Sequence, residues 1–176
     1  MPRHLQNVCV YCASSQQAQP VFYEAAAELG RHLANSNITI TYGGGGVGLM
    51  GTIANAALEC GGKVIGVLPE FMQDREWGHT GLSELVITSD MHARKARMIR
   101  DADAVIALPG GCGTLEELLE AITWKQLDLH DKPIVMLNTS NFFDPLVAAL
   151  EKSVHEKFMP SENTQLWTLV AEPAEV

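Results

Sequence analysis

Short apolar runs alternate along the chain with longer stretches whose apolar residues recur every three or four positions. Residues 7–12, 38–42, 63–68, 84–88, 104–108 and 134–137 predict strands, and 166–170 predict a last edge strand. Between the first two, residues 20–35 predict a helix with Phe22, Ala26, Leu29 and Leu33 on one face. Residues 49–60 predict an Ala-rich helix stopped by Gly61 and Gly62. Asp90 is set to cap a helix running to about Arg100, and 114–129 predict another. Asp144 and Pro145 supply the N-cap and first position of a helix reaching about Lys157. Residues 70–83 have no period and read as a long, mobile loop with a functional role, and 171–176 read as a loose acidic tail.

Strand–helix alternation with nearly continuous apolar strands predicts a mainly parallel sheet covered on both faces. The expected fold is a single α/β domain over 1–176, doubly wound and Rossmann-like, with ligands outside the carboxyl ends of the strands. The composition agrees: 176 residues, 47% hydrophobic and 19% charged, suffice for one core and are too few for two full-sized domains. A net charge of −9 repels a polyphosphate backbone, which excludes general nucleic-acid binding but not a small phosphorylated ligand. No apolar run is long enough to cross a bilayer and the N-terminus lacks the features of a signal peptide, so the expected compartment is the cytoplasm. Cys9 and Cys12 form a C-x-x-C on a strand, where i and i+3 face opposite ways and cannot clasp one metal. They read with Cys60 and Cys112 as reduced cysteines of a cytosolic core. No histidine spacing suggests a ligand set, so neither metal nor cofactor is expected.

Two glycine-rich segments each follow a strand and open a helix. The first is Gly43, Gly44, Gly45, Gly46, Val47 and Gly48, in which Gly43, Gly45 and Gly48 fit G-x-G-x-x-G. Glycines at a helix start let an anion reach the backbone N–H groups, and four in a row exceed what a tight turn needs. No Lys-Ser/Thr pair follows, so it is not a P-loop. The second is Pro109, Gly110, Gly111, Cys112, Gly113 and Thr114. Thr114 and Glu117 also fit a capping box, which is the purely structural reading of Glu117. On a helical wheel Leu115, Leu118, Leu119 and Ile122 share the core face, leaving Glu117 toward solvent or the crevice. Four cations, Arg94, Lys95, Arg97 and Arg100, crowd one short helix. Asp101 and Asp103 could balance them on a solvated face, but Arg94 and Lys95 sit in its first turns, near the crevice, where Arg suits phosphate.

These residues resemble a known family. Pro109 to Glu117 match P-G-G-x-G-T-x-x-E, Met91 to Lys95 match M-H-x-R-K, and Gly48 to Gly51 match G-L-M-G. Together they are similar to the Lonely-guy (LOG) family, the cytokinin riboside 5′-monophosphate phosphoribohydrolases, over about residues 7–158. The resemblance implies hydrolysis of the N-glycosidic bond of AMP or an N6-substituted adenosine 5′-monophosphate, giving free base and ribose 5-phosphate. It implies a homodimer with sites near the interface and a catalytic pair falling on Arg94 and Glu117. Nucleotide-binding positions would fall on Glu76, Arg94, Lys95, Gly110, Gly111, Cys112, Gly113, Thr114, Leu115, Glu116 and Thr123, with Ser14 and Ser15 a further contact. Two departures stand out: Cys12-Ala13-Ser14-Ser15 where the family often has C-G-S-S, and Asp74-Arg75-Glu76 in place of P-R-E. Members often carry the label lysine decarboxylase, but no segment here reads as a pyridoxal-phosphate lysine site. The sequence also admits two other readings. One is a non-catalytic nucleotide carrier or sensor. The other is a dinucleotide oxidoreductase with Glu70 as ribose ligand, in which the second glycine segment and the Arg-Lys helix have no place.

Overall fold

The computed structural model describes residues 5–73 and 78–176. Seven strands form one sheet: β1 Asn7–Tyr11, β2 Thr39–Tyr42, β3 Val64–Pro69, β4 Glu84–Thr88, β5 Ala104–Ala107, β6 Ile134–Leu137 and β7 Thr168–Val170. The helices are α1 Pro20–Asn35, α2 Gly48–Glu59, α3 Glu70–Gln73, α4 Met91–Arg100, α5 Cys112–Gln126 and α6 Asp144–His155. Strand order is β4-β3-β2-β1-β5-β6-β7, and every pairing is parallel. The chain winds outward from β1 in one direction and from β5 in the other. The topological switch point, where such sheets bind ligands, therefore lies above the carboxyl ends of β1 and β5.

Alternation along the central strands divides the core between two faces. Val8, Val10 and Cys12 pack with Ala26, Leu29, Leu33, Leu49 and Ile53 beneath α1 and α2. Cys9 and Tyr11 pack with Met98, Leu118, Ala121, Ile122 and Phe143 on the opposite face. The two C-x-x-C thiols thus point apart, as their strand spacing requires. Burial pushes the Cys9 thiol up to about 12 and Cys12 higher still, so both stay neutral.

Several expectations need correction. Cys60 and Cys112 are exposed and not in the core. Residues 70–73 of the presumed loop form α3, and Gly78 returns to bridge Gly45; Asp74, Arg75 and Glu76 lie outside the described residues. α5 begins at Cys112, two residues early, and Leu119 is 37% exposed instead of facing the core. The last residues are not loose. Pro173–Glu175 form a 3-10 turn closed by a Glu172/Glu175 capping box, Pro173 is buried, and Val176 packs on the core. Among the described residues no helix is long and apolar enough to cross a membrane.

Candidate active site

A cavity of about 610 Å³ opens at the switch point, walled by residues that follow β1, β2, β3 and β5 and by the start of α4. α4 begins where expected. The Asp90 carboxylate accepts the Ala93 N–H at 2.8 Å, which fixes the first turn and aims Arg94 inward. Arg94 is only 5% exposed. Its Nε donates to the Val67 carbonyl at 3.0 Å, Nη1 to Glu117 Oε1 at 2.7 Å, and Nη2 to the Gly43 carbonyl at 3.4 Å. Three anchors from β3, α5 and the end of β2 thus hold one guanidinium at the cavity wall.

Glu117 is 6% exposed and lines the same cavity. The capping box anticipated for it does not form. Gly111 is the N-cap, Thr114 lies inside the first turn, and the Glu117 carboxylate reaches Arg94 instead of a backbone amide. Burial is the largest influence on this carboxyl and raises its pKa above the ordinary 4.5, while the Arg94 charge and hydrogen bond pull the other way.

Lys95 is buried too, but it turns from the cavity to α5, meeting Glu116 at 2.5 Å and Glu120 at 3.1 Å. Burial works against its charge and the two carboxylates overcome that, leaving its pKa above the ordinary value. Arg97 and Arg100 pair with Asp101 on the outer side of α4. Of the four cations only Arg94 faces the cavity.

The two glycine segments divide the work unequally. Gly43 and Gly45 line the cavity, but Gly44, Gly46 and Gly48 do not. The Gly44 carbonyl accepts the His79 N–H, the Gly45 carbonyl accepts the Tyr42 hydroxyl, and the N–H of Met50 in the first turn of α2 is taken by Ala13. Gly48, in left-handed backbone, is pressed against the carbonyls of Ser14 and Ser15. That helix start is built into the β1–α1 loop. At the start of α5 the reverse holds: Gly111, Cys112, Gly113 and Thr114 line the cavity, and nothing stands within 4 Å of where a Cβ on Gly111 or Gly113 would be. The first-turn amides of this helix make the ready anion seat. Gly110 sits behind, where a side chain would overlap Thr114.

Ser14, Ser15 and Glu116 complete the polar wall. Leu115 packs on the core, and Thr123 is exposed further along α5, its hydroxyl bonded to the Leu119 carbonyl; neither lines the cavity. The other wall is apolar, formed by Val47, Met50, Leu68, Met72 and Met91. None of these five was among the candidates. Met50 and Met91 lie within the matched G-L-M-G and M-H-x-R-K segments, the one signal that could have found them.

Residues 50–176 match a family described as "Possible lysine decarboxylase". A "Probable cytokinin riboside 5′-monophosphate phosphoribohydrolase" of Oryza sativa subsp. japonica is 45% identical over 171 residues, 97% of this chain and 70% of that protein. A cytokinin riboside 5′-monophosphate phosphoribohydrolase of Arabidopsis thaliana is 45% identical over 160 residues, 91% of this chain and 74% of its own. Among solved structures, a molybdenum cofactor carrier protein from Chlamydomonas reinhardtii superposes with a TM-score of 0.71 at 23% identity, covering 97% of this chain and 92% of that one. At that identity the likeness speaks to the fold alone.

Proposed function

The chain belongs to the LOG family of cytokinin riboside 5′-monophosphate phosphoribohydrolases, and from that premise we propose that it hydrolyses the N-glycosidic bond of an adenosine-type 5′-monophosphate. Water adds to C1′ of the ribose, the C1′–N9 bond breaks, and the base leaves with a proton, giving free base and ribose 5-phosphate. The observation that carries this reading is the buried Arg94–Glu117 pair, 2.7 Å apart, on the wall of a cavity that also holds the open start of α5. Bond cleavage builds positive, oxocarbenium-like charge on the ribose. A preorganised carboxylate in a low-dielectric site stabilises that charge and orients the water. In this role Glu117 acts on the sugar, and Arg94 holds it ionised and in place. The amides of Gly111, Cys112 and Gly113 would receive the phosphate, with Ser14 and Ser15 facing them. Binding energy at the phosphate then orients the distant glycosidic bond.

The methionine wall supports a base with an apolar N6 substituent. Met50, Met72 and Met91 are flexible and polarisable, and such side chains mould to a branched chain. We also infer a homodimer. Thr123, a nucleotide-binding position by family resemblance, lies off this cavity in the single chain and would reach a nucleotide only at a site completed by a second copy.

The test is product analysis by chromatography on four substrates: AMP, N6-isopentenyl AMP, dAMP and adenosine. Free base and ribose 5-phosphate should appear from the N6-substituted nucleotide and from AMP, with adenosine cleaved far more slowly. No release of base from any 5′-monophosphate would overturn the reading. Equal rates on AMP and adenosine would remove the phosphate seat from it.

A further inference from the structure

We propose that Gly43 is a positioning residue for Arg94, and that glycine stands there to seat the guanidinium rather than to admit phosphate. The inference rests on the phosphoribohydrolase reading for its kinetic consequence but not for its geometry.

The first glycine segment, Gly43 to Gly48, holds residues with different requirements. Gly44 and Gly48 have positive φ, at 79° and 64°, and the backbone itself asks for glycine. Gly43 has no positive φ, so its backbone does not ask for glycine in that way. What excludes a side chain is the occupant of the space: a Cβ on Gly43 would overlap Arg94 Nη2 and come within 3.4 Å of Cζ. The Gly43 carbonyl meanwhile accepts from that same Nη2 at 3.4 Å. The end of β2 thus forms one side of a slot for a planar group. The Val67 carbonyl fixes the Nε side, and Glu117 takes the remaining edge.

This slot explains how a charged side chain from α4 is held against β2 and β3 without a second carboxylate. A methyl group at position 43 would meet the movable end of a long side chain, so the fold would survive and Arg94 would swing. Glu117 would then lose the partner that offsets its burial. The Met50 methyl group, 3.2 Å from the same point, is flexible enough to give way.

The experiment is Gly43→Ala, read by kinetics and by NMR of the Arg94 side chain. In the wild type the Nε–H of Arg94, buried and bonded to Val67, should give a protected 15Nε resonance, identified by its loss in Arg94→Lys. We expect Gly43→Ala to fold, to displace that resonance, and to lower kcat ten- to a hundredfold with KM within about threefold. In an Arg94→Ala background the same substitution should cost almost nothing further, because the two residues act as one unit. An unmoved resonance with turnover within threefold of wild type would overturn the proposal. So would a tenfold rise in KM at unchanged kcat, the mark of a lost phosphate contact. So would a Gly43→Ala/Arg94→Ala protein that fails to fold while Arg94→Ala folds, since backbone and not the guanidinium would then demand glycine. If the wild type releases no base from any nucleotide, the functional reading fails, yet the resonance still decides whether Gly43 seats Arg94.

Discussion

Glu117 and Arg94 are separated by 23 positions in sequence and by 2.7 Å in space, and the proposed chemistry asks for an ionised carboxylate at 117. A neutral amide at 117 keeps the size and hydrogen-bonding reach of glutamate but cannot balance an oxocarbenium charge. Glu117→Gln should therefore fold normally and lose roughly 10²–10³ in kcat, if one preorganised electrostatic group is worth about 3–4 kcal/mol. With the capping box absent, helix stability gives no second reason for a glutamate there. Turnover within about threefold of wild type would remove Glu117 from the reaction. The pH dependence follows from burial, which raises this carboxyl above 4.5 against the pull of Arg94. Among the described residues only Arg94 is bonded to it; Lys95 from α4, Glu116 from its own helix, and Cys9, Tyr11 and Cys12 of β1 and its end are near enough to act on it through their charges. A reaction needing the carboxylate loses rate as pH falls through the raised pKa, so the acid limb of kcat/KM should lie above 4.5. Stability runs the other way: the folded state binds this proton more tightly than the unfolded chain. That contribution is complete below 4.5 and is lost as pH rises through the folded pKa. The thermal midpoint of wild type, compared with Glu117→Gln, should accordingly decline across the window in which activity appears. An acid limb at or below 4.5 would mean that Arg94, and not desolvation, dominates.

At the scale of elements, strong periodicity made most of the fold legible. α1, β4 and β6 fall on their expected residues, because Pro20 opens the first and short β-rich runs bounded by polar residues mark the others. What escaped depended on contacts rather than pattern. The start of α5 is disguised by Gly111 and Gly113, which argue locally for a loop, and its Thr114–Glu117 spacing imitates a cap that the earlier helix start excludes, leaving Glu117 to a distant arginine. The docked C-terminus was concealed by its acidity, although Glu172 and Glu175 carry the spacing of the cap they form. Charge and glycine marked cavity residues such as Arg94, Glu117, Gly43 and Gly111, but equally Lys95, Gly44, Gly46, Gly48 and Gly110, which lie off the cavity, and neither marked the methionine wall. Gly30 tests how tightly the layers are set. A Cβ there would stand 2.5 Å from the Ile53 carbonyl of α2, a backbone atom with little freedom to retreat. Alanine should favour an isolated helix by about 1 kcal/mol. Overpacking costs about 1–3 kcal/mol, so the contact should prevail. Gly30→Ala is expected to lower the thermal midpoint, by about 2–4 °C for each kcal/mol of net cost. A higher midpoint would show that α1 can slide off α2 without loss.

On the scale of the molecule, two tendencies oppose each other. The net charge of −9 disfavours self-association, whereas apolar side chains remain exposed on and just beyond α5, with Leu119 37%, Leu127 62% and Leu129 67% exposed. Thr123 lies between them in sequence, exposed, on the helix whose opposite end lines the cavity. If Thr123 contacts nucleotide, as the family resemblance implies, a site built wholly within one chain does not bring it there. A two-fold arrangement that brings α5 to a partner's cavity would use it and would cover the leucines as well, since an isologous contact repeats each patch on both sides. Apolar burial at about 25 cal/mol per Å² readily outweighs screened charge repulsion between surfaces at physiological salt. Sedimentation at micromolar concentration should therefore give about twice the 19.1 kDa of the chain. Thr123→Arg, an exposed change that disturbs no core residue, should leave the thermal midpoint of the isolated fold almost unchanged. It should shift the mass toward the monomer and reduce kcat/KM at least tenfold. A wild-type monomer with full activity would place the whole reaction within one chain.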